Sequence, residues 1–368
     1  MRATLMLVGL LLALAPAGAP DSAPPERRVE GTALVEGRAD TPAGLQLEAD
    51  GRLLRVTDKT QLLPPPRKEL EPVADLASLR SGVFLRYRGR TTPDGFVEVD
   101  ELSAWVNLLE EKEKELYEKY APEIALPLTP GAPSILKLDV NRYELSPDPE
   151  LQLYLDRLAG TLLPDYWRAP ARAADAGVRF WFQPVVHRTP QASAFPGGAV
   201  VVHTELWRLA ENEAQLAFAL AHEIAHVTQE HAWRQFAYHR NKLRAVRWGT
   251  AGLGYLVESA IRRGYQRDLE GQADRLALAY MVRAGYDPRE ALPFLRRLDE
   301  ARLRLPALVW HTHRSHAARR QALLDELVLF SARDLDHESL RKDSPAFAAL
   351  RETIPAREPD DTRPPRAR

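Results

Sequence analysis

The stretch LAHEIAHVTQEH, residues 220–231, carries three of the chain's ten histidines and two of its glutamates. Residues 211 to about 239 read as one long helix around it. On a helix, residues four apart share a face, so His222 and His226 present two ring nitrogens to one ion. Zinc takes such nitrogens at about 2.0–2.1 Å. Glu223 lies one step round the helix, near a metal-bound water whose pKa falls to about 7. A carboxylate there can take a proton and later deliver it to a leaving amine. This is the H-E-x-x-H logic of a metalloprotease. The competing reading is a polar helix face with surface histidines. His231 is assigned to it: at 100° per residue it sits about 180° from His222 and should not share the metal. His239 is likewise read as a surface histidine.

A zinc site needs at least one more protein ligand. The segment RDLEGQADRLALAYMVRAGYDP, residues 267–288, offers Glu270 as a ligand. Asp274, one turn on, can bond the outer nitrogen of a ligand histidine and fix its tautomer. Alone, Glu-x-x-x-Asp is a common solvated helix face; beside H-E-x-x-H it completes a His-His-Glu set.

The chain has no cysteine, which excludes disulfides, thiolate zinc sites and cysteine nucleophiles. Any metal must use histidine and carboxylate. A formal net charge of −1 removes the chain as a whole from the polyelectrolyte partners of nucleic acid or anionic membranes. The 368 residues suggest two domains more readily than one.

The opening MRATLMLVGLLLALAPAGAP has one early arginine, an apolar run too short to span a membrane comfortably, and Ala15-Pro16-Ala17 as a cleavage pattern. Residues 1–19 are therefore expected to be a secretory signal peptide, and the mature protein to lie outside the cytoplasm. From 27 to 106, VEGTALVEG, GLQLEAD, RLLRVTD, GVFLRYRGR and GFVEVDELSAW alternate as short strands, punctuated by Asp50-Gly51 and Asp94-Gly95. They predict a small all-β, barrel-like domain for protein interaction or regulation. Residues 107–134 read as a charged, solvated helix followed by a Pro-rich linker. Residues 135–353 read as a mainly helical domain with a small sheet, holding a strand at 178–186 and another at Val200–Val202. Further helices are expected at 148–163, 268–284, 289–304, 317–330 and 340–352. The apolar run 248–261 is too short for a standard transmembrane helix and reads as a loop or surface hairpin. Residues 354–368 are disordered by composition. The fold class is α+β.

Four stretches in order carry a resemblance. SAFPGGAVVVHTEL, LAFALAHEIAHVTQEH, LEGQADRLALAYMVRAGYDP and THRSHAARR resemble the motifs of the HtpX/BepA-type zinc metallopeptidases, the gluzincin family that includes the CaaX prenyl proteases. The similarity covers roughly 145 to 330. It implies one zinc on His222, His226 and Glu270, with Glu223 as general base. It places His313 near the metal, as transition-state stabiliser or removable fourth ligand, and Arg319 with Asp274 behind the ligands. Arg314 stands where the family has proline, and Ser193 where it has asparagine. His311 and His316 flank His313 as alternatives. His187 and His203 are read as structural, with His203 able to reach the cleft.

The implied function is a zinc endopeptidase that hydrolyses unfolded or misassembled proteins of the cell envelope, most plausibly in the periplasm. A peptide substrate is expected to add as a strand beside Val200, Val201 and Val202. Contact with a membrane surface or an envelope protein is a further expected partnership. The alternative is a non-proteolytic chaperone or assembly factor on the same metal-binding fold; the presence of Glu223 favours the enzyme.

Overall fold

Alternation of apolar residues closes the N-terminal segment on itself. In the computed structural model, which describes residues 26–42, 44–127, 129, 132–168, 177–242, 267–303, 316–333 and 338–354, six strands precede the first helix. They are β1 (Arg28–Thr41), β2 (Gly44–Ala49), β3 (Arg52–Val56), β4 (Gln61–Leu63), β5 (Val83–Thr91) and β6 (Val97–Val106). The sheet runs β3-β2-β1-β5-β6-β4, and β6 pairs back onto β3, closing a five-stranded barrel. Ala33, Val35, Leu47, Leu54, Leu85, Val99 and Leu102 fill it. Closure removes the unpaired edges an open sheet would present.

Next come α1 (Glu111–Lys119), a small sheet of β7 (Glu123–Ala125), β8 (Ile135–Leu138) and β9 (Asn141–Glu144), then α2 (Pro149–Leu162) and α3 (Asp165–Arg168). A second three-stranded sheet follows: β10 (Trp181–Val185), β11 (Ala192–Ala194) and β12 (Ala199–His203), in the order β10-β12-β11. β10 is parallel to β12 and β11 antiparallel. Gly198, between β11 and β12, has φ +106°, and a Cβ there would lie 2.5 Å from the Arg179 carbonyl, so only glycine fits. The remaining described helices are α4 (Thr204–Leu209), α5 (Glu213–Thr228), α6 (His231–Lys242), α7 (Arg267–Arg283), α8 (Ala291–Leu303), α9 (His316–Ser331) and α10 (Pro345–Thr353). Helices α2, α5, α7, α8 and α9 share one apolar core with strand β12. The chain is thus α+β: a barrel followed by a mainly helical region.

Two expectations need correction. The segment 107–134 is more than a solvated connector. On α1, Glu113 and Leu116 are buried, and Tyr120, just past its end, packs against Phe195 in the β11–β12 turn. The charges other than Glu113 line its outer face, and Leu116 and the aromatic residues its inner one. The Pro-rich segment after it contributes β7, paired to β8. The expected signal segment 1–19, the run 248–261 and residues 355–368 lie outside the described residues.

The barrel docks on the helical region through Leu34, Phe84 and Trp105, which join its apolar core, and on α5 and α7 through polar groups. β1 pairs with β2 only from Val35 onward. Before that point its edge meets two glutamines: the Leu34 amide donates to Gln229 Oε1 at 2.9 Å, and Gln272 Nε2 donates to the Thr32 carbonyl at 3.0 Å. Side-chain amides thus complete a strand edge that would otherwise bury unpaired backbone. A register shift between Val35 and Gly37 makes Glu36 a bulge, and bulges re-aim side chains. Its carboxylate accepts from the Tyr280 hydroxyl and from Gln229. At the β2–β3 turn, Asp50 and Gly51 both take positive φ, +58° and +70°, as a type I′ hairpin requires. A Cβ on Gly51 would sit 2.6 Å from the Arg275 carbonyl, so the hairpin tip presses directly on α7.

Burial between the two parts pushes the Glu36 carboxyl up from 4.5 to about 7, against the opposing pull of Tyr280 and Arg283. The folded state therefore holds this proton more tightly than the unfolded chain. Its contribution to stability is complete below pH 4.5 and is lost as pH rises to about 7. Thermal melts across this range should show that decline in the wild-type chain and its removal in Glu36→Gln. An unchanged slope in the variant would assign the decline to other groups.

Candidate metal centre

Helix α5 is buried on nearly every side, which is unusual for a segment with two histidines and two glutamates. Asn212 caps it, its side chain accepting from the Gln215 amide at 3.0 Å. Small residues, Ala214, Ala217, Ala221 and Ala225, let it lie close to its neighbours. Helix α7 packs along it and brings Glu270 to the face that holds His222 and His226.

His222, His226 and Glu270 are each under 5% exposed, and their ligand-type atoms lie within 4.8 Å of one another. The two Nε2 atoms face each other at 3.0 Å. Glu270 Oε2 is 3.7 Å from Nε2 of His222, and its Oε1 is 3.7 Å from Nε2 of His226. Bonds of about 2.0–2.1 Å in a tetrahedral arrangement place donor atoms roughly 3.4 Å apart, so these spacings fit a zinc ion. Two nitrogens, one carboxylate and no sulfur form a donor set for zinc at a catalytic site.

The outer nitrogens show how each ring is set. His222 Nδ1 lies 3.0 Å from Asp274 Oδ1. Asp274 also receives both prongs of the Arg319 guanidinium, at 2.8 and 2.6 Å. Burial pushes the Asp274 carboxyl upward, but Arg319 and His222 outweigh it and hold the carboxyl well below the usual carboxylate range. A permanent carboxylate accepts, so His222 Nδ1–H donates and its Nε2 lone pair points inward. Asp274 and Arg319 thus lie behind His222, on the side of its outer nitrogen.

His231 is where the expectation fails. It is fully buried, and its Nδ1 is 2.8 Å from Nδ1 of His226. Its Nε2 is 3.1 Å from Gln272 Oε1. The predicted long helix is broken: α5 ends at Thr228, the Gln229 amide bonds back to the Ala225 carbonyl, and Glu230 takes a left-handed φ of +52°. Helix α6 then restarts at His231, and the change of direction returns that ring to His226. Rotation at 100° per residue holds only while the helix continues. Burial, helped by Arg234, keeps the His231 pKa well below its ordinary value, so the ring is neutral.

Glu223 is buried on the same helix and accepts from the Ala194 amide at 2.7 Å. The general-base candidate is thus fastened to β11. A small pocket beside His226 is lined by Tyr117, Ala194, Phe195, Glu230 and Trp233. The expected substrate strand beside Val200–Val202 is corrected by the sheet order. β12 is central, with β10 and β11 on its two edges, and all three valines are fully buried. No peptide can pair with it. β11 is the outer strand on the side of Glu223.

His203 is buried at the end of β12, within reach of Thr189 Oγ1 at 2.9 Å, with the tilted His187 ring against it. Burial, then the neighbouring His187, lowers its pKa to about 3. It serves the sheet and does not join the His-His-Glu group. His311, His313 and Arg314, and the side chains of His239 and His316, lie outside the described residues. Sequence reasoning missed Ala194, Gln272 and the role of His231. The left-handed Glu230 that creates the last has no signature in its residue type.

Comparison with known proteins agrees with this geometry. Residues 167–327 match the sequence pattern of Peptidase family M48. The chain is 32% identical over 174 residues to the beta-barrel assembly-enhancing protease of Yersinia pestis, covering 42% of this chain and 34% of that protein. It is 32% identical over 173 residues to the protein of that name from Escherichia coli K12, with the same coverage. It is 31% identical over 120 residues to the mitochondrial metalloendopeptidase OMA1 of Schizosaccharomyces pombe, covering 31% of this chain and 36% of that one. The chain thus spans about a third of the length of the relatives it matches.

Asp274→Asn should weaken zinc binding by about 10–100-fold, as loss of an outer partner to a ligand histidine does. Competition against a chelator measures it. Unchanged affinity would make Asp274 a partner of Arg319 alone.

Proposed function

We propose, from the match of residues 167–327 to Peptidase family M48, that the chain is a zinc-dependent endopeptidase acting on unfolded or misassembled proteins of the cell envelope. The observation that carries the proposal is the His222–His226–Glu270 group with Glu223 beside it, anchored by the Ala194 amide. When bound by that group, zinc supplies a Lewis acid that polarises a peptide carbonyl and lowers the pKa of water to about 7. Glu223 takes the proton from the attacking water and passes it to the leaving amine. Asp274 and Arg319 keep His222 in its ligand tautomer.

β11 supports an extended, unfolded substrate. Its Phe195 and Gln191 ends bond to β12, and alternation turns Ala192 and Ala194 the other way, toward Glu223. A peptide laid along that side brings its backbone to the base. Support for an envelope setting comes from the signal-like composition of residues 1–19 and from relatives named for beta-barrel assembly. No helix among the described residues is long and apolar enough to cross a membrane. His313 is assigned to the same site from its motif alone. A non-proteolytic assembly role would need no anchored Glu223, which favours the enzyme.

The purified chain should hold about one zinc and should digest casein or an unfolded outer-membrane protein until a chelator is added. Glu223→Gln should keep the zinc and the fold but lose hydrolysis. Undiminished turnover in that variant would remove Glu223 as the base, and a metal-free wild-type protein would end the zinc reading.

A further inference from the structure

Every donor and acceptor around Gln272 has a fixed sense. Arg234 Nη1, which can only donate, lies 2.8 Å from Gln272 Oε1. The Thr32 carbonyl and the Asp50 carboxylate, which can only accept, lie 3.0 and 2.8 Å from its Nε2. The amide therefore has one orientation. His231 Nε2, 3.1 Å from that same Oε1, must carry its proton and donate. With that proton on Nε2, Nδ1 is the atom left to accept from His226 Nδ1–H at 2.8 Å. His226 is left with its lone pair on Nε2, the atom that faces Nε2 of His222.

The outer end of this relay belongs to the barrel. Asp50 is fully buried at the β2–β3 turn. Its Oδ2 accepts from the Tyr87 hydroxyl at 2.8 Å and Arg52 at 3.3 Å; its Oδ1 accepts from Arg275 at 2.6 Å as well as from Gln272. Arg52 reaches on to Glu326 of α9. A carboxylate clamped from four directions, on a turn whose Gly51 touches the α7 backbone, is a rigid anchor.

We propose that the β2–β3 turn of the barrel is a working part of the metal centre: Asp50 holds Gln272, Gln272 sets the tautomer of His231, and His231 orients His226. Asp50, Gln272 and His231 are positioning residues, and the inference rests on the reading of His226 as a metal ligand. Asp50 lies outside the segment that matches the peptidase family, so the relay that begins inside it at His231 and Gln272 ends on the neighbouring barrel. His222, by contrast, is supported within that region, by Asp274 and Arg319.

The alternative is that the network only joins the two parts of the chain. Zinc affinity of the full-length protein, measured by competition with a chromophoric chelator, separates the two, with the melting temperature of the metal-free protein as the control for folding. Gln272→Met keeps the bulk and removes the acceptor for His231; it should lower zinc affinity about 10–100-fold. Asp50→Asn turns an NH2 group toward donors that need an acceptor and should lower affinity in the same direction. The double variant should bind zinc no more weakly than Gln272→Met alone, because both act along one relay. Wild-type affinity in Gln272→Met, or additive losses in the double variant, would overturn the proposal in favour of simple adhesion. If Gln272→Met does not fold, Asp50→Asn decides alone: weakened binding supports the relay and wild-type binding overturns it. A wild-type protein without zinc, or His226→Ala binding as tightly as wild type, would instead overturn the ligand reading and this inference with it.

Discussion

Two imidazole nitrogens facing each other at 3.0 Å inside the protein impose the condition that the surrounding structure satisfies. Neither can carry a proton if both are to serve one cation, so each ring must hold its proton on the opposite nitrogen and find an acceptor there. The two solutions differ in kind. His222 uses a carboxylate one helix away, kept ionised by a forked guanidinium. His226 uses a second histidine, which works as an acceptor only if its own far nitrogen is occupied as a donor.

That difference explains features with no apparent connection to chemistry. The break at Glu230 is needed to bring His231 round; a continuous helix would send it to the opposite side. Two glutamines, Gln229 and Gln272, sit where core helices would ordinarily bury apolar residues, because each completes the edge of β1. The sheet obeys a related economy: β11 ties its backbone to Glu223, so the strand that would meet a peptide also holds the base.

What could be read from sequence was whatever depends on local periodicity. Alternation in residues 29–106 located the barrel strands, and four-residue spacing placed His222 with His226 and Glu270 with Asp274. What escaped depends on distant parts meeting. The order β10-β12-β11 puts the most strand-like run, Val200–Val202, in the centre and out of a substrate's reach, and nothing in those three residues announces it. Helix α1 looks solvated by composition, yet Leu116 and Tyr120 beside it are buried and Tyr117 lines the pocket beside His226. His231 was misplaced because a glutamate, not a glycine, takes the left-handed position after α5; glycine would have signalled the break.

The edge of β1 also sets an order of events during synthesis. Leu34 waits for Gln229, 195 residues later, and Thr32 waits for Gln272, 240 residues later. Contacts of such separation form late, since a long loop must close before they contribute anything. The barrel emerges first and can close without them; the imidazole relay is finished only when both helices have docked on it. A chain still being made, or one whose barrel has come loose, therefore lacks a settled His226, and assembly of the whole molecule comes before a competent centre.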